Sequence, residues 1–450
     1  MSLLTPMMRT SPLTAWFSDA QRVQGMLDFE AALARAQVEC GLVPQAALNT
    51  IIESCRHENI DFAALGQAAA SAGNLAIPLV KQLTARVKQR DEAAGRYVHW
   101  GATSQDAIDT GFILQLRGAL AETESLLQQL LDALASQAQR YQDTVMPGRT
   151  WMQHALPVTF GLKLAGTLDA LLRWQTRLRE MRSRVLALQF GGAAGTLDSL
   201  KTHAPQVAVA LAKTLDLQLP DTPWHSQRDR LLEVGAWYAG VCGTLGKFAN
   251  DFSLLMQTEV AELAEPVAEG RGGSSTMPHK RNPISCAAIL TAAQRTPGLV
   301  ATLYAGQIQQ HERALGGWQA EWETLPELIT LVGGALAQSE ALVRDMQVFP
   351  SKMRADLDIT HGLIMAEAVT LALAEFVGKA EAHHRVEALC RQALDASRSL
   401  LSVLETDPLV SEHLSASRLT QLLDPTTATG SSALFVRQVV ARYKEQRHEC

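Results

Sequence analysis

The residues best suited to chemistry lie together in residues 270–283 (GRGGSSTMPHKRNP). The glycines of this segment make its backbone permissive, so it could close over a ligand. Lys280 and Arg281 supply positive charge, and Ser274 and Ser275 supply hydroxyl groups beside it. This combination predicts a site for a substrate that carries a carboxylate, while a solvated loop between two helices would have a similar composition.

The elements that must position this segment are predicted to be helices. Proline is absent between positions 157 and 205, 223 and 266, and 297 and 326. Since an interior proline costs a helix about 3 kcal/mol, each gap is predicted to be largely helical. Leucines 126, 127, 130, 131 and 134 fall on one helix face. A helix from Val158 to about Gln189 would extend about 45 Å.

Helices of this length predict an all-α fold with a long central bundle. A stripe of apolar residues wide enough for two helix faces indicates partner subunits. No sustained two-residue alternation predicts a sheet. Turn-rich segments place boundaries near 109 and 346. We therefore expect an N-terminal helical domain (1–109), a central bundle (110–346) that carries residues 270–283, and a C-terminal helical domain (347–450).

Composition and motifs disfavour several classes of function. Of 450 residues, 47% are hydrophobic but only 5% are aromatic, which favours helices packed through Leu and Ala. The net charge of −6 argues against a dedicated nucleic-acid binder. The sequence lacks a strand-associated G-x-G-x-x-G and an H-E-x-x-H, and residues 243–247 (GTLGK) have the wrong spacing for a phosphate loop and are expected inside a helix. Neither a cofactor nor a metal is predicted.

The sequence also predicts a cytoplasmic location. No apolar stretch reaches the roughly 18 residues that cross a bilayer. Pro6, Arg9 and Pro12 interrupt the region where a signal peptide needs its apolar run. The six cysteines are scattered, as expected of reduced thiols.

A family resemblance sharpens this interpretation. Residues 273–283 (GSSTMPHKRNP) match G-S-S-x-M-P-x-K-x-N-P, the signature of the fumarase/aspartase superfamily. Residues 99–110 (HWGATSQDAIDT) and 148–161 (GRTWMQHALPVTFG) resemble two further conserved regions of the superfamily, in the right order. The resemblance implies a homotetramer with a twenty-helix core and active sites built from three subunits.

The resemblance also implies a carbanion stabilised as an aci-carboxylate. Ser274 corresponds to the family's proton-transfer serine, and its deprotonation would need Lys280 and oriented donors nearby. Thr103 and Ser104 precede a predicted helix, so their hydroxyls and the helix N-terminus could hold a carboxylate. Simple N-capping is their alternative role.

Two departures from the superfamily pattern are informative. Relatives that release fumarate from an amine or urea have a histidine after G-R-T and a glutamate five residues after the signature asparagine, whereas this chain has Trp151 and Ala287. A carboxylate leaving group, whose acid has a pKa of about 4, needs little acid assistance. With these departures, the chain resembles the lactonizing cycloisomerases of the superfamily. In their reaction, which belongs to protocatechuate degradation, a carboxylate of a carboxylated cis,cis-muconate adds to the diene of the same molecule. Residues 25–36, 224–229, 311–313 and 318–323 resemble the same branch.

A tricarboxylate needs several cations in a chain of net negative charge. The candidates are Lys280, Arg281, Arg313, Arg149 and Arg228. For Arg149 and Arg228, a structural ion pair is an equal alternative. Further residues predicted to line the substrate site are His99, Trp151, His154, Ser275 and Asn282.

The histidines of the matched segments are less defined. His154 could replace the missing acid, orient a carboxylate, or be a core histidine, and His279 has no role that the sequence defines.

Two other functions compete with the cycloisomerase. A fumarate-releasing lyase such as adenylosuccinate lyase shares the signature, but the missing histidine and glutamate count against it. A non-enzymatic helical oligomer, such as the structural lens proteins of this superfamily, would have no need of the intact Ser274, Lys280 and Asn282.

Overall fold

The structure, a computed structural model, describes Leu3 and residues 5–267, 270–273 and 276–448. The described part of the chain is mostly helical, as the sequence predicts. Its N-terminal helices are α1 (Thr5–Arg9), α2 (Leu13–Trp16), α3 (Asp19–Glu39), α4 (Gln45–Ser54), α5 (Phe62–Ala72) and α6 (Ala76–Arg90). Local capping begins two of them, since the side chains of Ser18 and Asp61 accept hydrogen bonds from the first turns of α3 and α5.

The middle of the chain contains the long helices that the proline spacing predicts. They are α7 (Ser104–Arg140), α8 (Phe160–Val185), α10 (Asp229–Leu255), α11 (Ile284–Ala305) and α12 (Gly317–Asp345), with the shorter α9 (Ala204–Leu215) between α8 and α10. Leucines 127, 130, 131 and 134 of α7 are at most 1% exposed, which confirms the predicted apolar face. Residues 243–247 lie inside α10, as expected.

Three details of the helix prediction are wrong. The helix predicted over 158–189 is shorter, because strand residues precede Phe160 and irregular residues follow Val185. The gap from 297 to 326 contains a connection at 306–316, and Pro297 and Pro326 lie inside α11 and α12. The packing of these long helices outweighs the cost of an interior proline.

Two small antiparallel sheets escaped the sequence analysis. Strands β1 (Val145–Thr150) and β2 (Gln153–Thr159) pair with an irregularity between Pro147 and Arg149. Strands β3 (Leu263–Ala264) and β4 (Gln347–Val348) form the other sheet. Such short strands carry too little alternation to be recognised.

The C-terminal part consists of short helices. They are α13 (Pro350–Asp356), α14 (Ala366–Val377), α15 (Lys379–Asp395), α16 (Leu400–Leu404), α17 (Pro408–His413), α18 (Ala416–Leu422) and α19 (Ser432–His448). A cluster of buried apolar residues joins α14 through α18 and includes Leu373, Leu389, Leu400 and Leu404. Short 3-10 helices occur at His57–Asn59, Ala94–Tyr97, Asp198–His203, Leu363–Met365 and Pro425–Thr427.

The chain divides into two compact units. Unit 1 comprises Met1–Gln128, Arg173–Gly246 and Ala288–Gln338, and unit 2 comprises Gln129–Leu172, Lys247–Ala287 and Ser339–Cys450. The three domains delimited from the sequence at 109 and 346 stay a prediction.

Candidate active site

The N-terminus of α7 is the centre of the candidate site in unit 1. The helix begins at Ser104 itself, so only Thr103 precedes it, which corrects the expectation for Ser104. The Thr103 amide donates to Asp106 Oδ2 at 3.0 Å, an arrangement that fixes the chain at the helix entry. The hydroxyl-bearing residues are half-buried at the positive end of a helix dipole, where an anion is stabilised.

Asp106 connects this helix entry to the glycine-rich run at 191–195, which sequence analysis missed, and to His225, to which it gave no role. Its carboxylate accepts hydrogen bonds from the amides of Gly191 (3.0 Å) and Gly192 (2.9 Å) and lies 2.7 Å from His225 Nε2. Gly192 has a φ of +68°, and a Cβ there would lie 3.1 Å from the Gly101 carbonyl oxygen. The glycine-rich run at 191–195 was a detectable signal, because close backbone approach requires glycine.

Arg313 lies beside the same helix entry, as predicted. Its Nε donates to Gln105 Oε1 at 3.0 Å, and its Nη2 donates to the Ala193 carbonyl oxygen at 3.1 Å. The structure therefore brings Arg313 together with Gln105, in the first turn of α7, and with the glycine-rich run at 191–195. Its described partners are neutral, so its positive charge is not cancelled by a direct carboxylate contact.

His99 is held by a carboxylate of α3. Its Nδ1 lies 2.6 Å from Glu30 Oε1, and its φ of +60° is uncommon for a non-glycine residue. Burial alone would lower the pKa of His99, but the charge and hydrogen bond of Glu30, helped by Asp106, raise it above its usual value. This environment favours an imidazolium.

Arg228 is sealed inside unit 1. It is 1% exposed and forms bidentate contacts with Asp109, while its Nη2 donates to Glu321 Oε2 at 2.6 Å. Burial opposes its charge, but Asp109 and Glu321 raise its pKa above the usual value. Trp318 Nε1 also donates to Asp109, at 3.0 Å. These contacts support the structural ion pair rather than a substrate contact.

The β1–β2 hairpin presents Trp151 from unit 2. Trp151 is 97% exposed and Met152 is 71% exposed. They form the tip of the hairpin with φ angles of +52° and +65°, a geometry that glycine or asparagine usually adopts. Trp151 is therefore displayed on a stiff turn rather than packed within its own unit.

Arg149 and His154 pair across the same hairpin. Arg149 forms a bidentate ion pair with the buried Glu262 at 2.8 and 3.0 Å, so its contacts also match the structural alternative. Burial and the charge of Arg149 lower the pKa of His154, with Asp356 opposing them. His154 Nδ1 is buried and accepts or donates no hydrogen bond within the described residues.

Residues 270–283, here called the signature segment, belong to unit 2. The structure describes residues 270–273 and 276–283 of this segment. Ser274 and Ser275 lie outside the described residues. His279 and Lys280 are exposed, and Asn282 is half-buried. Arg281 donates to the Glu265 carbonyl oxygen at 2.7 Å and to Gln347 Oε1 at 3.1 Å.

The described residues contain neither a cluster of metal ligands nor a membrane-spanning helix. No group of three or more His, Cys, Asp or Glu side chains there could hold a metal ion. Within the same residues, every helix is too short or too polar to cross a bilayer.

Comparison with known proteins places the chain in a family. A family model described as "Lyase" matches residues 7–298, and one described as "Adenylosuccinate lyase C-terminus" matches residues 362–439. The chain belongs to the lyase family. This membership confirms the resemblance to the fumarase/aspartase superfamily and the all-α fold.

Several full-length lyase-family relatives share one name. A 3-carboxy-cis,cis-muconate cycloisomerase of Pseudomonas aeruginosa is 55% identical over 96% of this chain and 94% of its own length. A cycloisomerase of the same name from Bradyrhizobium diazoefficiens is 48% identical over 97% of each chain. The crystal structure of 3-carboxy-cis,cis-muconate lactonizing enzyme from Pseudomonas putida matches with a TM-score of 0.94 and 50% identity, covering 99% of each chain.

Proposed function

We propose that this member of the lyase family is a cycloisomerase that converts 3-carboxy-cis,cis-muconate to 4-carboxymuconolactone in protocatechuate degradation. The observation that carries the proposal is the near full-length identity of 55% with a cycloisomerase of that name. The same observation favours this function over that of a fumarate-releasing lyase. Trp151 and Ala287, which replace the acid-side residues of the fumarate-releasing lyases, agree with it.

The reaction needs no co-reactant other than one proton from solvent. One carboxylate oxygen of the substrate forms a bond to an alkene carbon and closes the lactone ring, and the alkene electron pair moves to the neighbouring carbon, where an adjacent carboxylate delocalises it. A proton taken up from solvent then joins that carbon. Because the nucleophile is tethered, proximity supplies much of the rate. No leaving group departs in this direction, which agrees with a tryptophan at position 151.

We assign the chemistry to Ser274 and Lys280. Ser274 would move the proton, and the ammonium of Lys280 would stabilise both the deprotonated serine and the aci-carboxylate. Lys280 is exposed in its unit, so it is available to a substrate.

The remaining site residues would bind the three carboxylates. Thr103, Ser104 and the α7 N-terminus would form one carboxylate site, to which Arg313 adds positive charge. His99, whose Nδ1 is paired with Glu30, would contribute a hydrogen bond rather than net charge. Ser275 and Asn282 would contact substrate from the signature segment, and Trp151 and His154 from the hairpin. The lowered pKa of His154 makes it a neutral hydrogen-bonding group at pH 7 rather than a clamp for an anion.

We further propose that the protein works as a cytoplasmic homotetramer whose active sites combine residues of different subunits. Thr103 and Ser104 belong to unit 1 and Lys280 to unit 2, and the resemblance to the fumarase/aspartase superfamily implies that different subunits supply the residues of one site. Mixing inactive Thr103→Val and Lys280→Met proteins, after partial dissociation and reassembly, should restore part of the activity. Mixtures that remain inactive, although native mass spectrometry of one isotope-labelled variant with the other shows mixed tetramers, would contradict shared sites.

The decisive experiment follows the ultraviolet absorbance of 3-carboxy-cis,cis-muconate with purified protein, without added metal or cofactor. We expect rapid loss of the diene signal with lactone as the product, and loss of that activity in Ser274→Ala. The matched control substrate is adenylosuccinate, which should release no fumarate. Turnover of adenylosuccinate with an unchanged diene signal would overturn the proposal in favour of the fumarate-releasing lyase.

A further inference from the structure

Glu265 lies at the base of the signature segment, directly after β3. Its side chain is 4% exposed. Oε2 accepts a hydrogen bond from the Ser285 amide at 3.1 Å, and Oε1 accepts one from the Cys286 amide at 2.9 Å. One carboxylate thus satisfies two amides at the start of α11. Helix caps usually come from the residue next to the helix, whereas this cap comes from 20 residues upstream.

Two arginines of the signature segment, Arg271 and Arg281, approach Glu265. Arg281 donates to the Glu265 carbonyl oxygen at 2.7 Å. Arg271 hydrogen bonds to Ser285 Oγ, and its Nη2 lies 3.9 Å from Glu265 Oε2. We call Glu265, Arg271, Arg281 and the first turn of α11 the Glu265 clasp.

Backbone contacts also join the two arms of the signature segment, residues 270–273 and 280–283. The Asn282 amide donates to the Gly272 carbonyl oxygen at 2.8 Å, and Gly273 pairs with Arg281 in an antiparallel bridge. Gly272 has a φ of +67°, and a Cβ there would lie 2.8 Å from the Asn282 carbonyl oxygen. The two arms of the segment therefore approach each other closely, and Lys280 directly precedes the paired residue.

We propose that Glu265 is a positioning residue for Lys280. It acts by fixing both arms of the segment to the start of α11, and Arg281 is a strut of this clasp rather than a contact for substrate. The proposal rests on the proposed function, because it assigns Lys280 the catalytic role. Misplacement of a catalytic group by about 1 Å can cost about 100-fold in rate, so small shifts of the clasp should be measurable.

The test compares Glu265→Gln with Glu259→Gln, a matched change at an exposed residue of the same unit. Glu265→Gln keeps the side-chain volume, but only one of its two terminal atoms can accept a hydrogen bond. We expect kcat to fall about 10- to 100-fold with KM within about threefold of wild type. Glu265→Asp, which keeps the charge, should recover part of kcat.

Hydrogen exchange provides a readout that does not depend on turnover. In Glu265→Gln, the amides of Asn282, Ser285 and Cys286 should exchange at least about tenfold faster, with the rest of the chain unchanged. Failure of the wild type to convert 3-carboxymuconate would overturn the proposed function and the catalytic link, while the exchange data would still report on the clasp. Unchanged local exchange, unchanged kcat, or a uniform gain in exchange with a lower Tm would each overturn the positioning role.

Arg281→Lys keeps the folded unit intact because Arg281 is exposed. The variant retains the positive charge but shortens the reach to the Glu265 carbonyl. A strut predicts a lower kcat with KM near wild type, whereas a substrate contact predicts a higher KM with kcat preserved. The second pattern would contradict the role assigned to Arg281.

Discussion

The two regions that carry the candidate residues, the start of α7 and the signature segment, differ in how their charged side chains are placed. Around the start of α7, the buried carboxylates all have partners: Asp106 contacts His225 and two backbone amides, and Asp109 and Glu321 are paired with Arg228. In the signature segment, the charged side chains of Lys280 and Arg281 are exposed. Backbone hydrogen bonds and the Glu265 clasp hold the described residues of this segment in place.

This contrast indicates that the start of α7 contributes mainly to stability and the signature segment mainly to activity. A buried ionic network with satisfied partners is rigid, and breaking it is expensive. An exposed cation adds little to stability but is accessible to a substrate. Mutations in the two regions should therefore separate stability from activity.

The largest expected effect is on stability, at Arg228. Replacing it by Met leaves Asp109 and Glu321 buried without their cation, which should lower the free energy of unfolding by about 3–5 kcal/mol. The control is Arg90→Met, which removes an exposed partner of Glu53 and should cost at most about 1 kcal/mol. Denaturant unfolding measures both. Equal losses in the two variants would show that the Arg228 network is not the rigid centre of unit 1.

The opposite outcome is expected at Lys280. Lys280→Met removes the charge that we propose stabilises the carbanion, so kcat/KM should fall by about 10²–10³, or about 2.7–4 kcal/mol, with Tm unchanged. Lys247→Met is the matched control, because Lys247 is an exposed lysine of the same unit, paired with Asp251. Steady-state turnover of 3-carboxymuconate gives the answer. Full activity in Lys280→Met would remove the contrast between the regions.

Sequence reasoning predicted the helices and the signature segment because both depend on local patterns. Proline spacing and the leucine face of α7 reflect neighbours within a few turns. The partners of Asp106 did not emerge, since His225 lies 119 residues away and Gly191 lies 85 residues away. Ionic pairing of Arg149 with Glu262 likewise depends on residues 113 apart. The sequence named the cations but could not tell which of them the fold would neutralise.

A smaller and pH-dependent effect is expected at the His99–Glu30 pair. Because the folded pKa of His99 is raised, the pair contributes stability that is fully present below the unfolded pKa of 6.5 and is lost as pH rises through the folded value. Glu30→Gln should therefore cost about 1.5–3 kcal/mol at pH 6 and less at pH 8.5. The comparison variant is Glu39→Gln, at an exposed residue at the end of the same helix. A loss that is the same at both pH values would contradict the ionic role of His99.

The smallest effect tests the strained backbone at the tip of the β1–β2 hairpin. Met152 has a φ of +65° at the tip of the hairpin, which costs an L-residue about 1–2 kcal/mol. Met152→Gly removes this strain, but glycine gains entropy in the unfolded chain, so a net stabilisation of about 0.5 kcal/mol is expected. Met152→Ala keeps the strain and should give no gain, and denaturant unfolding distinguishes the two. If Met152→Gly gains stability but loses kcat, then the left-handed conformation of Met152 is retained to present Trp151 and not for stability, unlike the buried ion pairs of unit 1. A lower stability for glycine than for alanine would show that the turn is not strained.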